Sequence, residues 1–246
     1  MILGPPRRRG AERVERMDAG QGSPEEIAEA YRLLDRVNRR LGGHRLTEEI
    51  LVPLARSGSG PLAIVDVAGG SGEFAGRMAR WVRAAGRDPR ATVIDLSPAA
   101  LAAARAGNGT GVAAVRADAL ALPLPDRAVD VAHCSCFFHH LSTAGARDLL
   151  SEMCRVSRLA VIVNDLVRSR VAAATIWGLT RALTGNRLVR ADGPLSVLKS
   201  FVPGELLAIA QAVGASDHPG FRWQVRRGFP YRMALVGVRV DRRRPA

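Results

Sequence analysis

From residue 61 onward the chain alternates short apolar runs with amphipathic stretches, and this alternation narrows the fold more than any other feature. Residues 62–68 are apolar except for Asp66, and Phe74, Met78, Trp81, Val82 and Ala85 follow at helical spacing. Residues 91–96, 112–117, 129–137 and 159–166 repeat the strand pattern. Helices fall between them, one opened by Ser97-Pro98 and one marked by Leu149, Leu150, Met153 and Val156. Fully apolar strands joined by helices predict a doubly wound, mostly parallel α/β sheet with right-handed crossovers. After Pro203 a helix carrying Leu206, Leu207, Ile209, Ala210 and Val213 stops at Gly214. Two strand-like runs, 221–227 and 232–240, then follow with only Gly228-Phe229-Pro230 between them, so the expected seven-stranded sheet ends in an antiparallel hairpin.

Ahead of this core, residues 1–22 are rich in Arg, Gly and Pro and read as a mostly disordered basic leader, with Val14 and Met17 able to pack on the body. Ser23-Pro24-Glu25-Glu26 is a capping box with proline in the first helical position, and Ile27, Ala30, Tyr31, Leu34, Val37 and Leu41 follow at helical spacing up to Gly42-Gly43. A second helical stretch, 47–55, leads to the linker Ser57-Gly58-Ser59-Gly60. Residues 23–57 are thus expected to form a helical cover ahead of a domain over 61–246.

The 246 residues, 47% hydrophobic, suit one α/β domain with a small accessory element. A net charge of +13 ordinarily points to nucleic acid or an anionic membrane. Here Lys199 is the single lysine among 36 basic residues, and arginines cluster at 7–9 and 242–244, which fits GC-rich coding and solvated tails; a nucleic-acid partner is not expected. Cys134, Cys136 and Cys154 lack the spacing of a disulfide framework or a zinc site, so no metal is expected and a reducing cytoplasm fits. No run reaches the roughly 18 apolar residues of a membrane span, and a membrane partner is not expected.

Asp66-Val67-Ala68-Gly69-Gly70-Ser71-Gly72 lies where the first strand turns into a helix. Gly70, Gly72 and Ala75 also satisfy the dinucleotide fingerprint, so the turn alone leaves two ligands open. Acidic residues close the first three strands: Asp66, Asp95 and Asp118. A carboxylate at position 95 can accept from both ribose hydroxyls, and one at 118 from an adenine amino group with the Ala119 amide facing a ring nitrogen. Such a set favours a ligand carrying positive charge over one carrying a pyrophosphate.

With these motifs the chain resembles the class I S-adenosylmethionine (SAM)-dependent methyltransferases over about residues 60–240. Residues 65–72 look like their glycine-rich first motif, 94–98 like the ribose motif, and 118–123 like the adenine motif. Val129-Asp130-Val131 leading to Phe137-Phe138-His139-His140-Leu141 looks like their fourth strand and its loop. The resemblance implies SAM as cofactor, Asp66 facing its cationic end, and Val67, Ala68, Gly69, Gly70 and Gly72 forming the turn against it. It further implies Asp95 and Leu96 at the ribose, Asp118 and Ala119 at the adenine, and Cys134 and Ser135 closing the pocket at the end of strand four. Ala68 departs from the family, which usually has glycine there; a small residue is expected to fit. Val37 to Gly43 and Asn164 to Arg170 add a narrower likeness to bacterial natural-product enzymes related to the ubiquinone/menaquinone methyltransferases.

For the reaction, His139 and His140 are candidate bases or capping residues, and Asp165, ending strand five, is a candidate base or loop-capping carboxylate. A helical insertion at about 168–200, with Trp177, is expected to roof an apolar acceptor pocket together with the first helix and its Tyr31. Asn164 and Arg168 are assigned to the acceptor. Cys134 and Cys136 share one strand face and read as small core residues. The reading is O-methylation of a small hydroxylated aromatic, polyketide or quinone-like molecule, and a homodimer is left open. Alternatives are carbon or nitrogen methylation of a similar molecule, an RNA substrate, an NAD-dependent oxidoreductase, and a non-catalytic SAM-binding protein. Against RNA, Asn164-Asp165-Leu166-Val167 lacks the Pro-Pro-aromatic motif of adenine-amino methyltransferases.

Overall fold

The computed structural model describes residues 7, 14–17, 19–40, 42–106 and 111–240. Strand β1 (Leu62–Val67) lies mid-sheet, as its apolar run demands, between β2 (Pro89–Asp95) and β4 (Val129–Ser135), both parallel to it. β3 (Ala113–Arg116) extends one side and β5 (Ser157–Leu166) the other. The C-terminal pair β6 (Phe221–Gly228) and β7 (Arg232–Arg239) completes seven strands in the order β3-β2-β1-β4-β5-β7-β6. Only β7 runs against its neighbours. The expected parallel sheet with a terminal antiparallel hairpin is therefore observed.

One face of the sheet is covered by α2 (Gly43–Arg56), α3 (Glu73–Ala84) and α4 (Pro98–Ala106), whose Leu51, Met78, Val82 and Leu101 are buried against β-strand side chains. The other is covered by α5 (Thr143–Val156), with Leu149, Leu150 and Met153, and α8 (Pro203–Ser216), with Leu206 and Val213. Strand order reverses between β1 and β4. At such a switch point the loops leaving the two strands diverge and open a crevice beyond their carboxyl ends. The turn after β1 and the 3-10 turn after β4 (Phe138–His140) therefore stand side by side.

Local signals explain several boundaries. The capping box opens α1 (Pro24–Arg40): the Glu26 amide donates to Ser23 Oγ (3.2 Å) and the Ser23 amide to Glu26 Oε2 (3.0 Å). Ser97 caps α4 through the Ala100 amide. Other boundaries moved. α2 begins at Gly43, not 47, because Gly42 turns the chain at φ 71° and its carbonyl already accepts from the Leu46 amide. α8 runs through Gly214 to Ser216, since packing against β6 and α5 outweighs a single glycine.

The insertion holds two helices, α6 (Arg170–Leu183) and α7 (Arg187–Lys199), the second unforeseen because Gly193-Pro194 interrupts its pattern. It is α7, not α6, that lies against α1 and the 3-10 turn. α6 buries only Ala172 and Ala173 and presents Val171, Trp177 and Leu183 to solvent, so the expected roof around Trp177 is not formed there. The leader expected to be mostly disordered touches the body at Arg7, Glu15, Arg16 and Met17. Arg7 lies over the Phe201 ring, and the Arg16 and Met17 amides donate to Asp192 Oδ1 and Oδ2 (2.9 and 3.0 Å). Buried carboxylate–amide bonds supply the ordering that composition alone does not indicate. Residues 1–6, 8–13 and 18 of that leader lie outside the described residues. Among the described residues no single helix is long and apolar enough to cross a membrane.

Candidate functional site

The turn after β1 is shaped by backbone. Ala68, Gly70 and Gly72 take φ of 54°, 57° and 68°. A Cβ on Gly69 would stand 2.7 Å from Asp66 Oδ2 and 2.8 Å from Val93 Cγ2, so the inner side is closed. A Cβ on Gly70 would meet nothing within 4 Å, so the outer side is open to a ligand. Ala68 stands in left-handed backbone, which favours glycine and costs alanine about 1 kcal/mol.

Asp95 is held at the open side of this turn. Its Oδ2 accepts from the Gly70 amide and its Oδ1 from the Ser97 amide, both at 2.8 Å. One acceptor site on each oxygen remains, the pattern two vicinal ribose hydroxyls need. Leu96 beside it is 57% exposed. Asp118 is exposed and accepts from the Leu120 amide (2.9 Å), with Ala119 buried beneath. The loop that follows is stapled to α5: Glu152 accepts from the Leu122 amide, and Arg155 donates to the Leu122 and Leu124 carbonyls. The Arg155 hydrogen bond holds the Glu152 carboxyl below its ordinary range, over the opposing push of partial burial.

Asp66 does not face this crevice. It is buried beneath Gly69, and its Oδ1 lies 2.7 Å from His133 Nδ1. The bond continues away from the cofactor side: Thr47 Oγ1 stands 3.3 Å from His133 Nε2, and Asn164 Nδ2 donates to Thr47 Oγ1 (2.8 Å) and to the Gly43 carbonyl. With Nδ1–H donating to the carboxylate, Nε2 accepts the threonine hydroxyl, while Asp66 Oδ2 and Asn164 Oδ1 stay buried with no hydrogen-bond partner among the described residues. Two assignments are thereby corrected. Asp66 Oδ1 meets an imidazole instead of a ligand's cationic end, and Asn164 Nδ2 anchors α2 through Thr47 and the Gly43 carbonyl instead of an acceptor.

The loop after β4 brings two candidate residues together. His139 Nδ1 stands 2.7 Å from Asp165 Oδ1, and the His139 amide donates to Asp165 Oδ2 (3.0 Å). Asp165 also accepts from the Leu166 amide. Burial raises the Asp165 carboxyl, but the His139 charge and hydrogen bond, the Leu166 amide and Arg232 outweigh it and leave the group below the usual aspartate range. The carboxylate fixes Nδ1 as donor and turns Nε2 away from it, toward the buried Glu15. His140 stacks on Phe137 and tilts against His139, ring centroids 4.2 Å apart. Glu15 of the leader, itself buried, faces both imidazoles at 3.8 and 3.9 Å. Sequence reasoning missed Glu15: it lies 124 positions before His139, in a segment without periodicity.

Further assignments change on inspection. Arg168 is buried and engaged by both Glu205 oxygens (3.0 and 2.7 Å) and the Ser200 carbonyl, so it has no donor fork to offer an anionic acceptor. Trp177 is exposed and stacked under Arg181, and Tyr31 is exposed on α1; neither lines the rim. Cys134 is a core residue as expected, its thiol pushed up by burial and then by nearby carboxylates. Cys136 is not: with φ of 54° it leaves the strand and its sulfur accepts from Arg232 Nη1. Ser135, last in β4, pairs with Asn164 across the sheet.

Residues 64–159 match the family model described as a methyltransferase domain. Among curated proteins, 122 residues are 34% identical to the ubiquinone/menaquinone biosynthesis C-methyltransferase of Methylobacterium nodulans, covering 46% of this chain and 47% of that protein. The chain thus spans about half the length of the curated relative it matches. A SAM dependent methyltransferase from Aquifex aeolicus superposes with a TM-score of 0.60 at 17% identity, over 87% of this chain and 98% of that one. The plantazolicin methyltransferase BpumL, solved with a monoazolic desmethylPZN analog and SAH, gives 0.68 at 12% identity over 92% and 93%. At such identities the likeness is one of fold, and it extends well beyond the matched domain to the helices around it.

Proposed function

We propose that this chain is a SAM-dependent methyltransferase acting on a hydroxyl of a small aromatic, polyketide or quinone-like molecule. The observation that carries it is the Asp165–His139 pair, set just past the carboxyl end of β4 and at that of β5, next to the strand whose turn opens at Gly70. Asp95, the Gly70 backbone and the Asp118-Ala119 corner fit the sugar and base of SAM. The sulfonium of SAM supplies an already activated methyl carbon, so the protein's task is to position an oxygen in line with it and exclude water. His139 Nε2 would take the acceptor hydroxyl's proton, bound SAM supplying the methyl group and leaving as a neutral thioether. Asp165 stabilises the imidazolium that results. α7, the leader and the 3-10 turn bury this corner, which favours a compact acceptor over a polynucleotide.

The C-methyltransferase relative supports a second reading, in which the acceptor is an activated ring carbon flanked by a hydroxyl and the same dyad removes that hydroxyl proton. Labelled-methyl transfer from SAM to a panel of phenols, naphthols and quinols, followed by product mass spectrometry, separates the two. Products cleaved by boron tribromide carry the methyl on oxygen. Absence of transfer to every acceptor by a protein that binds SAM would favour a binding role.

A further inference from the structure

We infer that Glu15, His139 and His140 form a binding site for a divalent cation of borderline softness. The three side chains come from two distant segments and bring one carboxylate and two imidazoles together, with ligand atoms all within 4.8 Å of one another. Glu15 Oε1 lies 3.8 Å from His139 Nε2, and Oε2 lies 3.9 Å from His140 Nε2. Three donors all within 4.8 Å of one another share a centre roughly 2.2–2.8 Å from each, against ~2.0–2.2 Å for zinc to nitrogen or carboxylate oxygen. Closure by a few tenths of an ångström completes the set.

Two further features belong to a built site. His139 donates its other ring nitrogen to Asp165 at 2.7 Å, the carboxylate–imidazole arrangement that orients metal-bound histidines and raises their basicity. Glu15 is held in place by the two amides that follow it, both bonded to the buried Asp192 carboxylate. Neutral imidazoles with a single carboxylate suit zinc, cobalt or nickel and do not suit magnesium or calcium, which take oxygen ligands. Lys199 Nζ, 3.2 Å from Glu15 Oε1, now balances the carboxylate and must swing out when an ion enters.

The site stands independently of the methyl-transfer reading, and bears on it in one way. An ion bound here takes the Nε2 lone pair that would receive an acceptor proton, so zinc slows a turnover that depends on His139 as base.

The test is calorimetric titration of the full chain, stripped of metal by dialysis against a chelator, with Zn²⁺, Co²⁺ and Mg²⁺, with SAM affinity measured alongside to verify folding. One equivalent of Zn²⁺ or Co²⁺ binds and Mg²⁺ does not. Glu15→Gln and His140→Ala each weaken Zn²⁺ at least tenfold; Asp165→Asn weakens it about 10–100-fold through His139; Lys199→Met tightens it. Absence of stoichiometric Zn²⁺ binding overturns the inference. So does a Glu15→Gln/His140→Ala protein that keeps both its SAM affinity and its full Zn²⁺ affinity. Methyl transfer with and without Zn²⁺ is read separately, so failure of the cation site leaves the enzymatic reading untouched.

Discussion

The two halves of the crevice are built differently. On the β1–β3 side the candidate ligand surface is backbone: a turn with three left-handed residues, amides held by Asp95, and an exposed Asx turn at Asp118. On the β4–β5 side it is side chains: Asp165, His139, His140 and Glu15, enclosed by α7 and the leader. A backbone surface tolerates most substitutions and fails only at residues whose conformation or lack of Cβ it requires. A side-chain surface fails at each member. The contrast predicts where function and where stability are lost.

The largest effect is expected on the side-chain half. His139→Ala lowers methyl-transfer kcat by about 10²-fold or more with SAM affinity intact, because only the proton transfer is removed. Asp165→Asn, which loses the acceptor that fixes the His139 tautomer, falls by a comparable factor. If both variants turn over normally, the rim works by proximity and the contrast between the halves disappears.

On the backbone half, Gly69→Ala drives a methyl group into Asp66 and Val93 and destabilises the fold by about 1–3 kcal/mol, read as a lowered unfolding midpoint. Gly70→Ala meets no neighbour inside the protein, so it disturbs the bound ligand and the left-handed turn more than the core. An equal loss of stability in both would contradict the asymmetry of the turn. Thr47→Val removes the hydroxyl facing His133 and costs about 1–3 kcal/mol of stability while SAM affinity stays within a few-fold, marking the Asp66–His133–Thr47–Asn164 chain as structural.

Two smaller effects sharpen the comparison. Glu152 has a folded-state carboxyl held below its ordinary range by Arg155, so its stabilisation is present above the unfolded value and lost as pH falls through the folded one. Glu152→Gln should therefore lower the unfolding midpoint at pH 7 and narrow the gap to wild type near pH 4. An unchanged gap would remove Glu152 from the loop staple. Ala68→Gly relieves the left-handed strain but adds unfolded-state entropy, so a net change within about 1 kcal/mol is expected, in favour of glycine.

What the sequence made legible follows the same division. Apolar runs, Ser97-Pro98 and the Gly69–Gly72 cluster are local signals, and they located the sheet, its order of elements and the Asp95 corner. Asp165 and His139 were both visible as candidates, yet their pairing, across 26 residues, is a product of β4–β5 register. Glu15 was invisible because its place depends on Asp192, 177 positions further on. Arg168 and Asn164 were misassigned for a related reason. A polar residue at or just past the end of a strand looks alike in sequence whether it faces a crevice or, as here, Glu205 or the Gly43 carbonyl.

The central claim is tested most directly by titrating SAM and NAD into the wild-type chain and into Asp95→Ala. The account predicts SAM binding in the wild type and none of NAD. The Asp95→Ala protein, still folded, binds SAM at least tenfold more weakly, the loss of about 1.4 kcal/mol or more expected for a two-pronged ribose contact. NAD binding in place of SAM, or SAM affinity unchanged in Asp95→Ala, would contradict it.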